Sequence, residues 1–157
     1  MSDQNRIDFI VEPSGQVQGE FTVPGDKSIS HRSIMLGAIA KGTTEISGFL
    51  DGEDNLATLK AFRSMGVTIS DPQDGCLEVQ GVGLYGLSTP EQSLYLGNSG
   101  TSMRLLSGLL SPQSFNSVLT GDESLSKRPM RRVTQPLSEM GAKIETTENG
   151  TAPLNIT

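Results

Sequence analysis

The sequence predicts an α/β fold made of two βαβαββ repeats, and three observations carry that reading. First, Gly25-Asp26-Lys27-Ser28-Ile29-Ser30-His31-Arg32 and Gly97-Asn98-Ser99-Gly100-Thr101-Ser102-Met103-Arg104 lie 72 residues apart, each ahead of an apolar helical pattern. Second, Phe62-Arg63-Ser64-Met65-Gly66-Val67-Thr68-Ile69 is echoed 75 residues later by Leu137-Ser138-Glu139-Met140-Gly141-Ala142-Lys143-Ile144. The second copy therefore holds about three extra residues, which fall near Leu125-Ser126-Lys127-Arg128-Pro129-Met130. Third, helical spacing and β-type alternation follow one another along both copies. Such mixed elements bury one apolar face each and stack as layers.

In the first copy, residues 21–24 form a short extended run. Residues 28–40 read as a helix whose apolar positions are Ile29, Leu36, Ile39 and Ala40. Residues 43–49 alternate and are β-branched, which predicts a strand. Leu56, Leu59, Phe62 and Met65 stand at helical spacing within residues 55–65, and Gly66 supplies the left-handed stop. Residues 67–70 and 76–80 predict a hairpin about Asp74-Gly75. In the second copy, strands are expected at 93–96, 117–119, 143–146 and 154–157. Helices are expected at 99–110, with Met103, Leu106 and Leu110 inward, and at 131–140, ending at Gly141. The repeats occupy 21–83 and 93–157, one partial domain at 21–157. A leading segment at 1–20, with a strand-like run at 7–11, lies outside both and is expected to pair elsewhere. The chain stops flush with the second repeat, so it reads as the N-terminal part of something longer.

Composition narrows the function. The 157 residues carry 12 Lys and Arg against 18 Asp and Glu, a net charge of −6. That disfavours non-specific nucleic-acid binding, which needs a basic footprint. A local cluster of cations can still hold a small anion. The lone Cys76 rules out an intrachain disulfide or a cysteine metal site and fits a reducing cytoplasm. No apolar run approaches a membrane span, and the polar N-terminus lacks a secretory pattern.

Three constellations suit anions. At residues 24–32 a glycine turn opens a helix, whose first turn offers unpaired N–H groups and a positive dipole end. Lys27 adds a cation, Ser28 a hydroxyl, and Arg32 lies one turn on along the same face. The same residues also fit an N-cap serine, a solvated lysine and a surface ion pair. At residues 97–104, Gly100 lets a ligand approach the backbone, Asn98 and Thr101 offer directed hydrogen bonds, and Arg104 mirrors Arg32. Alone, that segment fits a capped loop better. At residues 127–129, Pro129 restrains Arg128 for bidentate carboxylate binding, or the three form a solvated basic loop. His31 is expected to face solvent or cap local structure, Asp54 to N-cap the second helix, and Cys76 to pack within a strand.

These three segments, in this order and spacing, resemble the signature stretches of the shikimate-pathway enolpyruvyltransferases, the EPSP synthase family, over nearly the whole chain. The resemblance implies a fold of two halves, each of three βαβαββ units, with the active site between them. Two of six units would be present here, with the leading strand pairing with the distant half. It further implies transfer of the enolpyruvyl group of phosphoenolpyruvate to the 5-hydroxyl of shikimate 3-phosphate, without metal or organic cofactor. Lys27 would contact both substrates as the catalytic lysine. Ser28 and Arg32 would hold shikimate 3-phosphate. Asn98, Gly100 and Arg128 would line the phosphoenolpyruvate pocket, with Thr101 and Arg104 nearby. The family's catalytic carboxylates would lie beyond Thr157, so the chain alone is expected to be inactive and to need the rest of the enzyme as its partner. Gly100, where tolerant members carry Ala, implies sensitivity to glyphosate. Two alternatives stand beside this. One is the UDP-N-acetylglucosamine enolpyruvyltransferases, which have Lys-Asn in place of Lys27-Ser28 and usually a loop cysteine in the second repeat. The other is a non-catalytic anion-binding fragment that requires a complementary chain.

Overall fold

A computed structural model describes residues 9–13 and 15–157. Twelve elements follow one another among these residues: α1 (Lys27–Ile39), β1 (Lys41–Ile46), α2 (Glu53–Ser64), β2 (Thr68–Ile69), β3 (Leu77–Val82), β4 (Leu94–Tyr95), α3 (Gly100–Leu110), β5 (Ser117–Thr120), α4 (Glu123–Ser126), α5 (Arg131–Glu139), β6 (Ile144–Glu145) and β7 (Leu154–Ile156). One sheet has the order β1-β3-β2, all antiparallel. The other has the order β4-β5-β7-β6, in which only the β4–β5 pair is parallel. The triplet β5-β7-β6 reproduces β1-β3-β2, so the repeat read from the sequence is a repeat of topology.

The sheets differ in one strand. The counterpart of β4 should be residues 21–24, but these lie outside any strand, and Phe21 and Val23 are exposed. Their apolar side chains meet no packed surface that would hold them in a ladder. Of the leading run at 7–11, residues 7 and 8 lie outside the described residues, and Phe9, Ile10 and Val11 are exposed and unpaired in any ladder. The hairpin formed as expected. Asp74 and Gly75 take φ of 48° and 72°, the paired left-handed values of a type I′ turn, and Gln73 and Cys76 exchange hydrogen bonds of 2.8 and 2.9 Å across it. Gly66 and Gly141 also adopt positive φ after α2 and α5. The three extra residues of the second copy sit where expected, in a loop that folds a single turn, α4, which spacing did not reveal.

One core runs through both repeats, from Ile34, Leu59, Phe62 and Val79 to Met103, Leu106, Leu119 and Leu154. The inward face of α1 departs from the expectation. Ile29 and Leu36 are 68% and 63% exposed, while Ser30, His31, Ile34, Met35, Gly37 and Ala38 are buried. Two causes act together. Gly37 brings the helix close to the sheet, since a Cβ there would lie 3.3 Å from the Cβ atoms of both Thr44 and Val79. The polar residues on this face, meanwhile, are paired: Ser30 with the Asp26 carbonyl and the Leu50 N–H, and His31 with side chains of neighbouring helices.

His31 is the centre of that pairing. It is fully buried, contrary to its expected place in solvent. Its Nδ1 lies 2.9 Å from Thr58 Oγ1 of α2 and 3.2 Å from Ser102 Oγ of α3. Its Nε2 lies 3.4 Å from Ser99 Oγ, the N-cap of α3. Thr58 and Ser102 share a hydrogen bond of 2.5 Å, and Ser99 and Ser102 one of 2.7 Å. Three helices from two repeats are thus fastened at one point. Cys76, expected to pack, is exposed because it closes the hairpin turn instead of entering the sheet.

Burial lowers the His31 pKa from the ordinary 6.5, with Lys27 and Arg32 adding to the effect and Asp54 opposing it. Between the folded value and 6.5 the unfolded chain binds more protons, so stability is full above about pH 6.5 and falls as pH drops through that window. His31 is the only histidine, so His31→Leu should flatten the dependence of unfolding free energy on pH just below about 6.5, at a cost of about 1–3 kcal/mol at pH 7. Urea melts across this range test it, and an unchanged slope in the variant would refute it. A second expectation concerns Gly25, where a Cβ would fall 2.0 Å from the carbonyl oxygen of Gly48. Gly25→Ala should destabilise by about 1–3 kcal/mol, since backbone must move on backbone. A thermal melt matching the parent would count against that contact.

Candidate functional site

Two helix N-termini form the site, and the His31 cluster holds them together. At α1, Asp26 is the N-cap, its Oδ1 accepting from Ile29 N at 2.7 Å, so Ser28 is left free of the capping role. At α3, Ser99 caps by accepting from Ser102 N at 3.2 Å, and the same hydroxyl reaches His31. The loop after β1 closes against α1, with Leu50 N donating to Ser30 Oγ at 2.9 Å. That places the start of α2 beside Lys27. The N-cap of α2 is Gly52, not Asp54. Asp54 sits in the first turn and is ion-paired with Lys27, a pairing that neither residue's spacing disclosed. Asn55, the next residue, fixes the loop by donating to Leu50 O at 2.7 Å.

The arginines of the two repeats keep the same geometry. Arg32 donates from Nη1 to Ser28 O at 3.0 Å, and Arg104 donates from Nη1 to Gly100 O at 3.1 Å. Each guanidinium folds back over the first turn of its own helix. Arg104 also reaches Pro129 O at 3.5 Å and so touches the segment that carries Arg128. Arg128 donates from Nη1 to Asn98 O at 3.2 Å and from Nη2 to Asn98 Oδ1 and Ser124 Oγ. The Asn98 side chain in turn donates to Asp122 Oδ2 at 2.8 Å. Asp122 was not singled out in the sequence. It is the N-cap of α4, and its carboxyl is held below its ordinary pKa by the Leu125 N–H first and the Asn98 amide second, with Arg128 contributing.

Gly100 lies between the two guanidiniums. A Cβ there would stand 2.7 Å from Arg104 Nη1 and 3.1 Å from Arg128 Nη1. Gly100 is buried and its N–H donates to Asn98 O at 3.0 Å, so the missing side chain is what lets two guanidiniums gather at the first residue of α3. Thr101 follows in the same turn, half-buried. Asn98, Gly100, Arg104 and Arg128 converge. Lys27 pairs with Asp54, which with Glu53, Lys60, Tyr95, Asn98 and Asp122 lines a cavity of about 310 Å³ that is itself more acidic than basic. Arg32 stays exposed over its own helix. Lys127 pairs with Glu123 at 2.5 Å. A larger hollow of about 870 Å³ lies beside the hairpin, but Glu45, Asp71, Asp74 and Glu78 line it, the wrong sign for an anion. No helix among the described residues is long and apolar enough to cross a membrane.

Known proteins match this chain in sequence and in fold. The sequence profile of EPSP synthase (3-phosphoshikimate 1-carboxyvinyltransferase) covers residues 11–157. The chain is 64% identical to the 3-phosphoshikimate 1-carboxyvinyltransferase of Methylococcus capsulatus, over 99% of this chain and 36% of that protein. It is 61% identical to the one from Nitrosococcus oceani, over 98% of this chain and 34% of that protein. The EPSP synthase structure from Acinetobacter baumannii superposes with a TM-score of 0.86 at 66% identity, covering 88% of this chain and 32% of that one. The chain thus spans about a third of the length of the relatives it matches. Sequence profile, identity and superposed fold agree, and the chain belongs to the EPSP synthase family.

Proposed function

We propose that this chain supplies an anion-binding wall for enolpyruvyl transfer from phosphoenolpyruvate to the 5-hydroxyl of shikimate 3-phosphate, in the cytoplasm. The observation that carries the reading is the gathering of the Arg104 and Arg128 guanidiniums against the side-chain-free Gly100 at the start of α3. Phosphoenolpyruvate bears a carboxylate and a phosphate, and a planar guanidinium matches either with two parallel hydrogen bonds. In this reading Asn98, Gly100 and Arg128 receive phosphoenolpyruvate, with Thr101 and Arg104 supporting them. Ser28 and Arg32, at the start of α1, receive the phosphorylated acceptor. Lys27, next to Ser28, would contact both substrates, and a substrate anion would take it from Asp54.

The reaction joins the 5-oxygen of the acceptor to C2 of the enolpyruvyl group and breaks the bond from C2 to the phosphate oxygen. Phosphate leaves, and the acceptor's hydroxyl proton must be carried away. The work of this wall is electrostatic: it gathers two polyanions whose mutual repulsion otherwise opposes the encounter. It also holds the phosphate as charge grows on it. General acid and base groups are assigned to the remainder of the enzyme, which makes that remainder the chain's obligate partner.

The test is complementation. Mixed with the remaining two thirds of the Methylococcus capsulatus relative, the chain should restore phosphate release that depends on both substrates, and neither piece should turn over alone. Turnover by the chain alone would refute the division of labour, and no recovery in either a mixture or a covalent fusion would refute the function. In the fusion, Gly100→Ala pushes a methyl against both guanidiniums and into the ligand's space. Its KM for phosphoenolpyruvate should rise roughly tenfold, the effect of displacing one charge-assisted hydrogen bond, while inhibition by glyphosate weakens. Steady-state kinetics with equal inhibition constants for the two forms would contradict this.

A further inference from the structure

We infer that Asp122 is a positioning residue for the anion pocket: its carboxylate turns the side-chain amide of Asn98 so that the amide oxygen faces Arg128. The catalytic consequence rests on the function proposed above, but the orientation itself does not.

A primary amide has a donor end and an acceptor end of nearly equal size. Space cannot choose between them, so the partners must. On one side Asn98 Nδ2 lies 2.8 Å from Asp122 Oδ2. An ionised carboxylate only accepts, so it pins the NH2 there. The oxygen is then left for Arg128, whose Nη2 donates to it while Nη1 donates to the Asn98 backbone oxygen. Reversing the amide would set NH2 against guanidinium and oxygen against carboxylate, wrong at both ends.

Asp122 is itself fixed at three points. Its Oδ1 accepts from Leu125 N at 2.7 Å as the N-cap of α4. Its backbone N donates to Gly97 O at 2.9 Å. Its other oxygen holds Asn98. One side chain thus begins the turn that carries Arg128 and orients the residue that receives Arg128. Hydrogen bonds from Leu125 and Asn98 favour the ionised form, so Asp122 stays an acceptor at neutral pH.

Two substitutions separate the cap from the orientation. Asp122→Ser keeps a good N-cap but no second oxygen. Asp122→Asn also keeps a cap, yet presents NH2 to Asn98 and so invites the amide to turn over. In the fusion with the Methylococcus capsulatus remainder, Asp122→Asn should raise KM for phosphoenolpyruvate by roughly tenfold, the scale for losing one hydrogen bond to a charged group. Asp122→Ser should do less, because its Asn98 is unpinned but not reversed. Shikimate 3-phosphate affinity and melting temperature should stay at the parent values in both. An unchanged KM, or equal losses for both substrates alongside a lowered melting temperature, would overturn the inference. A second readout needs no activity. In the 15N-labelled 157-residue chain, the Asn98 side-chain NH2 protons should move upfield in both variants as they lose a carboxylate acceptor. Unmoved resonances would overturn the inference even where the fusion is active. Moved resonances with an inactive fusion would keep the orientation and reject only the proposed function.

Discussion

The rest of this structure depends on one buried polar junction. His31, Thr58, Ser99 and Ser102 come from α1, α2 and α3, and so from both repeats. Each is fully or almost fully excluded from solvent, so each would be costly unless paired. Together they satisfy one another and tie the three helices to one another. Hydrophobic burial supplies the larger share of stability, but it is not directional. The junction sets where the N-termini of α1 and α3 stand relative to each other. The site is built on those two N-termini.

The repeat explains the scaffold, and its failure explains the site. Both copies fold a guanidinium back onto the first turn of a helix, Arg32 on Ser28 and Arg104 on Gly100. The symmetry ends between β5 and α5, where the second copy inserts α4. That insertion brings Arg128 to Asn98, a contact the first copy does not reproduce. Where the copies agree, the chain is meeting the demands of packing. Where they diverge, it has gained a cation.

Much of this was legible in the residues, and the illegible parts have physical causes. Glycine stops, the Asp74-Gly75 turn and the inward Leu and Met of α3 follow from local rules, and they stand where expected. The inward face of α1 did not follow, because apolar spacing pointed to Ile29 and Leu36. A buried serine or histidine is indistinguishable in sequence from an exposed one until its partner is known, and Thr58 and Ser102 lie 27 and 71 residues away from His31. Residues 21–24 have the composition of a strand, but a strand is also defined by a neighbour. Lys27, Ser28, Asn98, Gly100 and Arg128 were picked out by motif. Asp54 and Asp122 were not, because each acts by holding a motif residue and looks in sequence like an ordinary helix cap.

The cations beside the two helix starts all have partners within the chain. Lys27 rests on Asp54, Arg128 on Asn98, and Arg104 on two backbone oxygens. Under the proposed function, an anion reaching these cations would trade places with acceptors already there. Binding would then be an exchange, and an anion would have to offer the cations more than the acceptors it displaces.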